Sequence, residues 1–287
     1  MRHTISFALT VFVATFTLRA EEIPAEYKQN GFAIGCQAYT FNKFTAFEAI
    51  EKTAETGGKV IEFFPGQKVS KDDSGKWDHN ASDEVIAKVQ AKLKEHGIKA
   101  VNYGVVGGRD EAEWRKIFEF AKKMGLYAVT TEDVSKLDLI EPLVKEFDIR
   151  VAIHDHPRRP NDANYKVWDP HYIVAVTKDR DKRIGACADT GHWQSSGINP
   201  VYALRVLKGR VISSHMKDKT DIGNRGTDGT DTHDVPYGTG VGEIGRCLDE
   251  LKKQGFEGNI SVEYEYNWNN SVPDVKQCID FVRKHGK

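Results

Sequence analysis

The sequence predicts an α/β fold, a single-domain (β/α)8 TIM barrel. Three observations carry the prediction. Eight short β-type runs alternate with helical patterns from end to end. Four of the later runs, in VAIHDH, IGACADTGHW, VISSHMKD and NISVEYE, end in side chains that can bind metal. Residues 21–287 match the roughly 250 residues that such barrels occupy. Parallel strands of a barrel deliver their ends to one rim, so His154, Asp189, His215 and Glu263 can meet around one cation although they are far apart in sequence. An open doubly wound sheet usually has fewer strands, and no GxGxxG follows the first run, so a dinucleotide site lacks its phosphate-binding turn.

The chain opens MRHTISFALTVFVATFTLRAEE, in which Arg2 and His3 precede an apolar stretch from Ile5 to Leu18, and Ala20 precedes two acids. That order of charge, apolar run and small residue is a secretory signal, and the run is too short for a comfortable membrane span. Residues 1–20 are therefore read as a signal peptide and residues 21–287 as the barrel. The mature protein is expected to be secreted or periplasmic, with no membrane span.

The strand candidates are residues 33–38, 60–64, 100–104, 128–131, 150–154, 184–188, 211–215 and 259–263. Between them lie amphipathic stretches such as AFEAIEKTAETG, SDEVIAKVQAKLKEHG, DEAEWRKIFEFAKKMG and VGEIGRCLDELKKQG, closing on glycine as helix C-termini commonly do. Two connections are long, PRRPNDANYKVWDP (157–170) and the Gly- and Asp-rich 217–241. Both follow runs that end in candidate ligands, so both belong over the catalytic rim, and the second is a candidate lid.

Lys plus Arg number 41 against 42 Asp plus Glu, which leaves no basic field to hold a polyphosphate backbone and excludes nucleic acid as the first choice of partner. Of the four cysteines, Cys36 and Cys187 lie in apolar runs as small buried residues. Cys247 and Cys278 sit in helical patterns where a bridge between them is open, and no CxxC spacing suggests a cysteine metal site. Asp189 and Glu263 offer hard oxygens and His154 and His215 imidazole nitrogens, a set suited to Mn²⁺, Zn²⁺, Co²⁺ or Mg²⁺. Glu132, in AVTTEDV at the end of the fourth run, is either a further ligand or a base. His156 shares a face with His154 if the alternation continues, which makes it a candidate general base.

With CADTGHW, ISSHMKD and SVEYE as its most specific parts, residues 21–287 resemble the xylose isomerase-like barrel superfamily, in its sugar phosphate isomerase/epimerase branch. The resemblance implies metal ligands Glu, Asp, His and Glu from strands five to eight, which carry over to Asp189, His215 and Glu263. His154 stands where the family has its first Glu. Either His154 replaces that ligand, or Glu132 reaches in and His154 supports it or acts in catalysis; both remain open at this point. The resemblance also implies that His192 contacts substrate. Lys217 is placed to neutralise a developing enolate oxygen, and Tyr39, Tyr103, Arg158, Arg159 and Trp168 to line a sugar pocket.

The implied chemistry is enolisation of a small-molecule carbohydrate, with a divalent metal ion as cofactor. Return of the proton to the other face gives an epimerase, and return to the neighbouring carbon gives an isomerase. Expulsion of a β substituent gives a lyase, the route of exported relatives that act on 3-keto-glycosides. Isomerase or epimerase comes first, the lyase second, and a non-catalytic sugar-binding barrel is the reading from another class.

Overall fold

Each β-type run forms one barrel strand in the computed structural model, which describes residues 22–223 and 231–287. In chain order they are β1 (Ala33–Gln37), β2 (Val60–Phe63), β3 (Lys99–Tyr103), β4 (Ala128–Thr131), β5 (Arg150–His154), β6 (Ile184–Asp189), β7 (Val211–Met216) and β8 (Asn259–Val262). Every strand pairs in parallel with its chain neighbours, and β8 closes on β1. The signal-peptide reading, on residues 1–20, lies outside the described residues, as do positions 224–230 of the candidate lid.

The helices follow from local capping. They are α1 (Ala46–Glu55), α2 (Asp83–His96), α3 (Glu111–Met124), α4 (Leu137–Phe147), α5 (Pro170–Thr177), α6 (Thr190–Ser195), α7 (Pro200–Val206), α8 (Ile244–Lys253) and α9 (Val272–Lys284). Thr45 and Glu48 form a reciprocal capping box at α1, and Ser82 and Asp110 accept from backbone amides at the starts of α2 and α3. Gly97 and Gly125 end α2 and α3 at φ of 63° and 62°, a left-handed conformation that favours glycine.

The apolar core lies mainly between strands and helices. A second cluster fills the lower interior of the barrel, where Val60, Val101, Ala128, Ala152 and Ile212 pack with Ile23 from the N-terminal segment. Above that layer the interior turns polar, and polar groups removed from water need partners. Glu62 accepts from Thr130 Oγ1 at 3.0 Å and Ser261 Oγ at 2.9 Å, and Asn102 Nδ2 donates to Ser213 Oγ at 3.3 Å. The register carries this polar layer up to the site, since Asp189 on β6 pairs with His215 on β7, and His215 with Ser261 on β8.

Both long connections leave the rim as expected. Residues 157–170 follow β5 and enter α5. Residues 217–241 carry a two-stranded antiparallel ribbon, Asp218–Lys219 against Asp234–Val235. Asp218 staples this segment by accepting from the backbone amides of Gly238, Gly240 and Gly242. All four cysteines are free and buried, so the Cys247–Cys278 bridge is not formed. Both sit in the core between helices and strands, where they serve as small apolar residues.

Candidate active site

His154, Asp189, His215 and Glu263 come together at the strand ends, each offering one ligand atom within 4.8 Å of the others. All four are buried. His154 Nε2 lies 3.4 Å from Asp189 Oδ2, and His215 Nδ1 lies 3.3 Å from Glu263 Oε2. Neither of these two ring nitrogens has a hydrogen-bond partner among the described residues. A carboxylate stands behind each ring: His154 Nδ1 is hydrogen-bonded to Glu132 Oε1 at 3.3 Å, whereas His215 Nε2 lies 3.0 Å from Glu62 Oε1 without hydrogen-bond geometry and is unpartnered among the described residues as well. The His154–Glu132 hydrogen bond fixes that ring and raises its basicity towards a cation, and Glu62 acts on His215 through its charge.

Lys217 enters the same cluster. Its ammonium is 2.5 Å from Asp189 Oδ2 and 3.1 Å from Glu265 Oε1, and it also contacts Glu263 Oε2. Burial would raise the Asp189 and Glu263 carboxyls, but Lys217 and His154 beside Asp189, and Lys217 and His215 beside Glu263, hold both well below the usual range. Burial likewise draws His154 down, and Asp189 and Glu132 outweigh it, taking the imidazole up to about 10. The surrounding carboxylates therefore favour positive charge on His154 itself. Two carboxylates and two unpartnered imidazole nitrogens are a donor set that fits a divalent transition ion.

Glu132 is engaged on several sides. His154 Nδ1 and His156 Nδ1 both contact its Oε1, and Tyr165 donates to its Oε2 at 3.1 Å. Despite burial, those histidines hold it well below the usual carboxylate range. With Nδ1 on Glu132, His156 presents Nε2 as its free nitrogen, and the residue lines the cavity beside the cluster. His192 Nδ1 lies 2.6 Å from the Asp155 carbonyl, which can only accept, so that nitrogen carries the proton and Nε2 is the free acceptor. Burial pushes His192 well below its ordinary value, so the ring is neutral. The His156 and His192 rings stack at 4.7 Å between centroids. Asp189 links these elements, because its Oδ1 accepts from the His192 amide and so caps α6.

A cavity of about 580 Å³ opens over the cluster, lined among others by Tyr39, His156, His192, Lys217, Glu263 and Glu265. Tyr39 is thus at the site as expected, 40% exposed. Tyr103 is not, and its reading as a sugar contact is corrected here. The β2–β3 register shifts between Ile61 and Glu62, a bulge that pairs Glu62 with Asn102 and turns Tyr103 outward against Phe120. Its hydroxyl contacts His79 instead. Arg158 and Trp168 stand aside from the main cavity: the guanidinium lies over the indole at 5.2 Å, and the indole N–H donates to the Tyr165 carbonyl. Arg159 packs in the same way on Tyr165.

Sequence reasoning missed Glu62, Asp155, Asp234 and Glu265. Glu62 had a signal, an acid inside the apolar run VIEFF where a lone charge needs a partner. Glu265 follows Glu263 by two residues and shares its face. Asp155 and Asp234 act through backbone contacts, to the Asp189 and Glu265 amides, which no spacing announces.

Residues 50–285 match the family model described as xylose isomerase-like TIM barrel. No curated protein shows significant similarity to the chain. Among solved structures, a protein from Parabacteroides distasonis is 30% identical, with a TM-score of 0.70 over 88% of this chain and 99% of that one. A D-allulose 3-epimerase from Methylomonas sp., solved with D-allulose, is similar in fold at 14% identity and a TM-score of 0.66, over 88% of this chain and 96% of that one. A xylose isomerase domain protein from Planctomyces limnophilus is similar at 16% and 0.61, over 80% of this chain and 88% of that one. The chain belongs to the xylose isomerase-like TIM barrel family.

Proposed function

We propose that the protein is a divalent-metal-dependent sugar isomerase or epimerase that removes a proton beside a carbonyl. The observation that carries this reading is the pair of unpartnered nitrogens, His154 Nε2 and His215 Nδ1, facing the carboxylates of Asp189 and Glu263. These four residues would hold the cation, with Glu132 orienting His154 and Glu62 acting on His215 through its charge. His154 then takes the place of the family's first glutamate, and Glu132 stands behind it. A bound cation supplies Lewis acidity to a sugar carbonyl and its neighbouring hydroxyl.

The chain supplies the remaining chemistry. His156, oriented by Glu132, accepts the proton at Nε2. His192, neutral at Nε2, accepts a hydrogen bond from a substrate hydroxyl. Lys217 places positive charge beside oxygen as it becomes anionic, in a site with little water to screen it. Tyr39 covers the sugar from the rim. This placement favours a catalyst over a non-catalytic sugar-binding barrel, because a binding site has no need of an imidazole held with one nitrogen on a half-buried carboxylate and the other turned to the cavity.

The second reading, a lyase on 3-keto-glycosides, uses the same proton removal followed by loss of a β substituent. It is favoured by room beyond Tyr39, where a second cavity adjoins the first. Location in the periplasm or outside the cell belongs to the same proposal and rests on the signal-like residues 1–20. No helix of the described residues is long and apolar enough to cross a membrane.

The test is incubation of metal-loaded protein with aldoses, ketoses and 3-keto-glycosides in deuterated water, read by NMR and mass spectrometry. Deuterium on carbon in an intact sugar is the expected result, and His156→Ala should bind metal while slowing uptake about 10²–10⁴-fold. Release of an aglycone with an unsaturated keto sugar moves the assignment to the lyase. Full deuterium uptake by the His156 variant would remove that residue from the mechanism.

A further inference from the structure

Lys217 and the cation draw on the same two oxygens. Asp189 Oδ1 is taken by the His192 amide, which leaves Oδ2 to face His154 Nε2 at 3.4 Å. Glu263 Oε2 faces His215 Nδ1 at 3.3 Å. The Lys217 ammonium lies 2.5 Å from that Asp189 oxygen and also contacts that Glu263 oxygen. Two positive charges on the same pair of oxygens repel strongly in a buried site, where little water screens them.

The lysine is not free to leave. Its backbone amide donates to Thr190 Oγ1 at 2.8 Å, and its carbonyl accepts from Thr190 Oγ1 at 2.7 Å and from Gln194 Nε2 at 3.0 Å. Its aliphatic stem runs against Gly191, where an added Cβ would come within 2.6 Å of Lys217 Cβ and 2.7 Å of Lys217 Cδ. Movement is therefore confined to the ammonium, whose third carboxylate neighbour is Glu265, with Oε1 at 3.1 Å. Glu265 lines the cavity and is anchored by its backbone amide, which donates to Asp234 Oδ2 at 2.7 Å. Asp234 is itself engaged by the Lys219 ammonium at 3.3 Å, so Glu265 is the acid placed to take the Lys217 charge.

We propose that Lys217 is a tethered competitor for the cation, and that Glu265 is the positioning residue that receives its ammonium when the ion binds. Lys217 then stands with Glu265 at the cavity wall, where a substrate oxygen becomes anionic, so ion loading and placement of the lysine are one event. The inference rests on the reading of His154, Asp189, His215 and Glu263 as a cation site and adds the two residues that control its loading.

Calorimetric titration of the full chain with Co²⁺ tests it, in wild type, Lys217→Met, Glu265→Gln and the double variant. Lys217→Met should bind about 10–100-fold tighter than wild type, the scale of one charge-assisted hydrogen bond that the ion no longer has to displace. Glu265→Gln should bind about ten-fold weaker than wild type, whereas the same change on the Lys217→Met background should alter affinity by less than about two-fold. Equal weakening on both backgrounds would make Glu265 a ligand or a plain negative charge and overturn the inference, as would Lys217→Met binding no tighter than wild type. Co²⁺ bound by none of the four chains would instead overturn the cation site itself. Where circular dichroism shows that Lys217→Met does not fold, wild-type crystals grown with Co²⁺ decide. The ammonium is expected on Glu265 and off Asp189 Oδ2, and an ammonium still hydrogen-bonded to that oxygen beside the bound ion would overturn the inference.

Discussion

At the scale of single residues, the site is organised by carboxylates that stand behind histidines. Glu62 is fully buried inside the barrel, held by Thr130 and Ser261, and lies against the far nitrogen of His215. It does not line the site cavity, so its effect on substrate acts through His215. The expected outcome of Glu62→Gln is a metal affinity lower by about 10–100-fold with the fold retained, read by calorimetric titration. Affinity unchanged by that variant would show that the Glu62 charge does not act on His215. Three of the four cluster residues were legible in the sequence because each ends an apolar run within a specific motif. His154 was read into the same set, but the choice between it and Glu132 stayed open, since it depends on which ring nitrogen faces which carboxylate, and no run or motif carries that.

At the scale of elements, strand positions were legible because apolar runs bounded by turn residues set them, and the observed ends differ from the expected ones by one residue at most. What the pattern could not supply was parity. A plain alternation in β3 puts Tyr103 on the same face as Val101, but the bulge opposite Glu62 reverses the facing after Val101. Connections between elements carry stability of their own. Asp181, just before β6, accepts from the Arg183 guanidinium at 2.9 and 2.8 Å and from its backbone amide at 3.0 Å. The Arg183 hydrogen bonds lower its carboxyl from 3.8 to about 2. A depressed carboxyl stabilises the fold above its unfolded value and loses that contribution as pH falls through its folded one. Asp181→Asn should therefore cost about 1 kcal/mol at neutral pH, with the difference from wild type closing between about pH 4 and pH 2 in denaturant melts. A difference that stays constant across that window would assign the loss to packing instead of charge.

At the scale of the whole molecule, the barrel brings four strand ends from the second half of the chain onto one rim, and the closed sheet lets Glu62 from β2 support His215 on β7. The fold class followed from counting βα units and needed no detail of side-chain contact. The shape of the site did not follow, because the ribbons after β2 and β7 and the short helix α6 depend on tertiary packing. A cation bound by β5, β6, β7 and the end of β8 ties that half of the barrel together and binds the native state alone. At a hundred-fold excess over its dissociation constant it should add about 2.7 kcal/mol, raising the melting temperature by about 5–10 °C, with EDTA reversing the gain. Melting curves that superpose with and without Mn²⁺, Co²⁺, Zn²⁺ and Mg²⁺ would argue against a resident ion.

The central claim, that His154, Asp189, His215 and Glu263 hold a divalent cation while Glu132 and Lys217 stand beside it, is tested most directly by anomalous diffraction from crystals grown with Mn²⁺ or Co²⁺. The account predicts one full-occupancy peak about 2.0–2.3 Å from His154 Nε2, His215 Nδ1 and an oxygen of each carboxylate. A peak coordinated by Glu132 with His154 turned away, or no peak and the Lys217 ammonium still between Asp189 and Glu263, would contradict it.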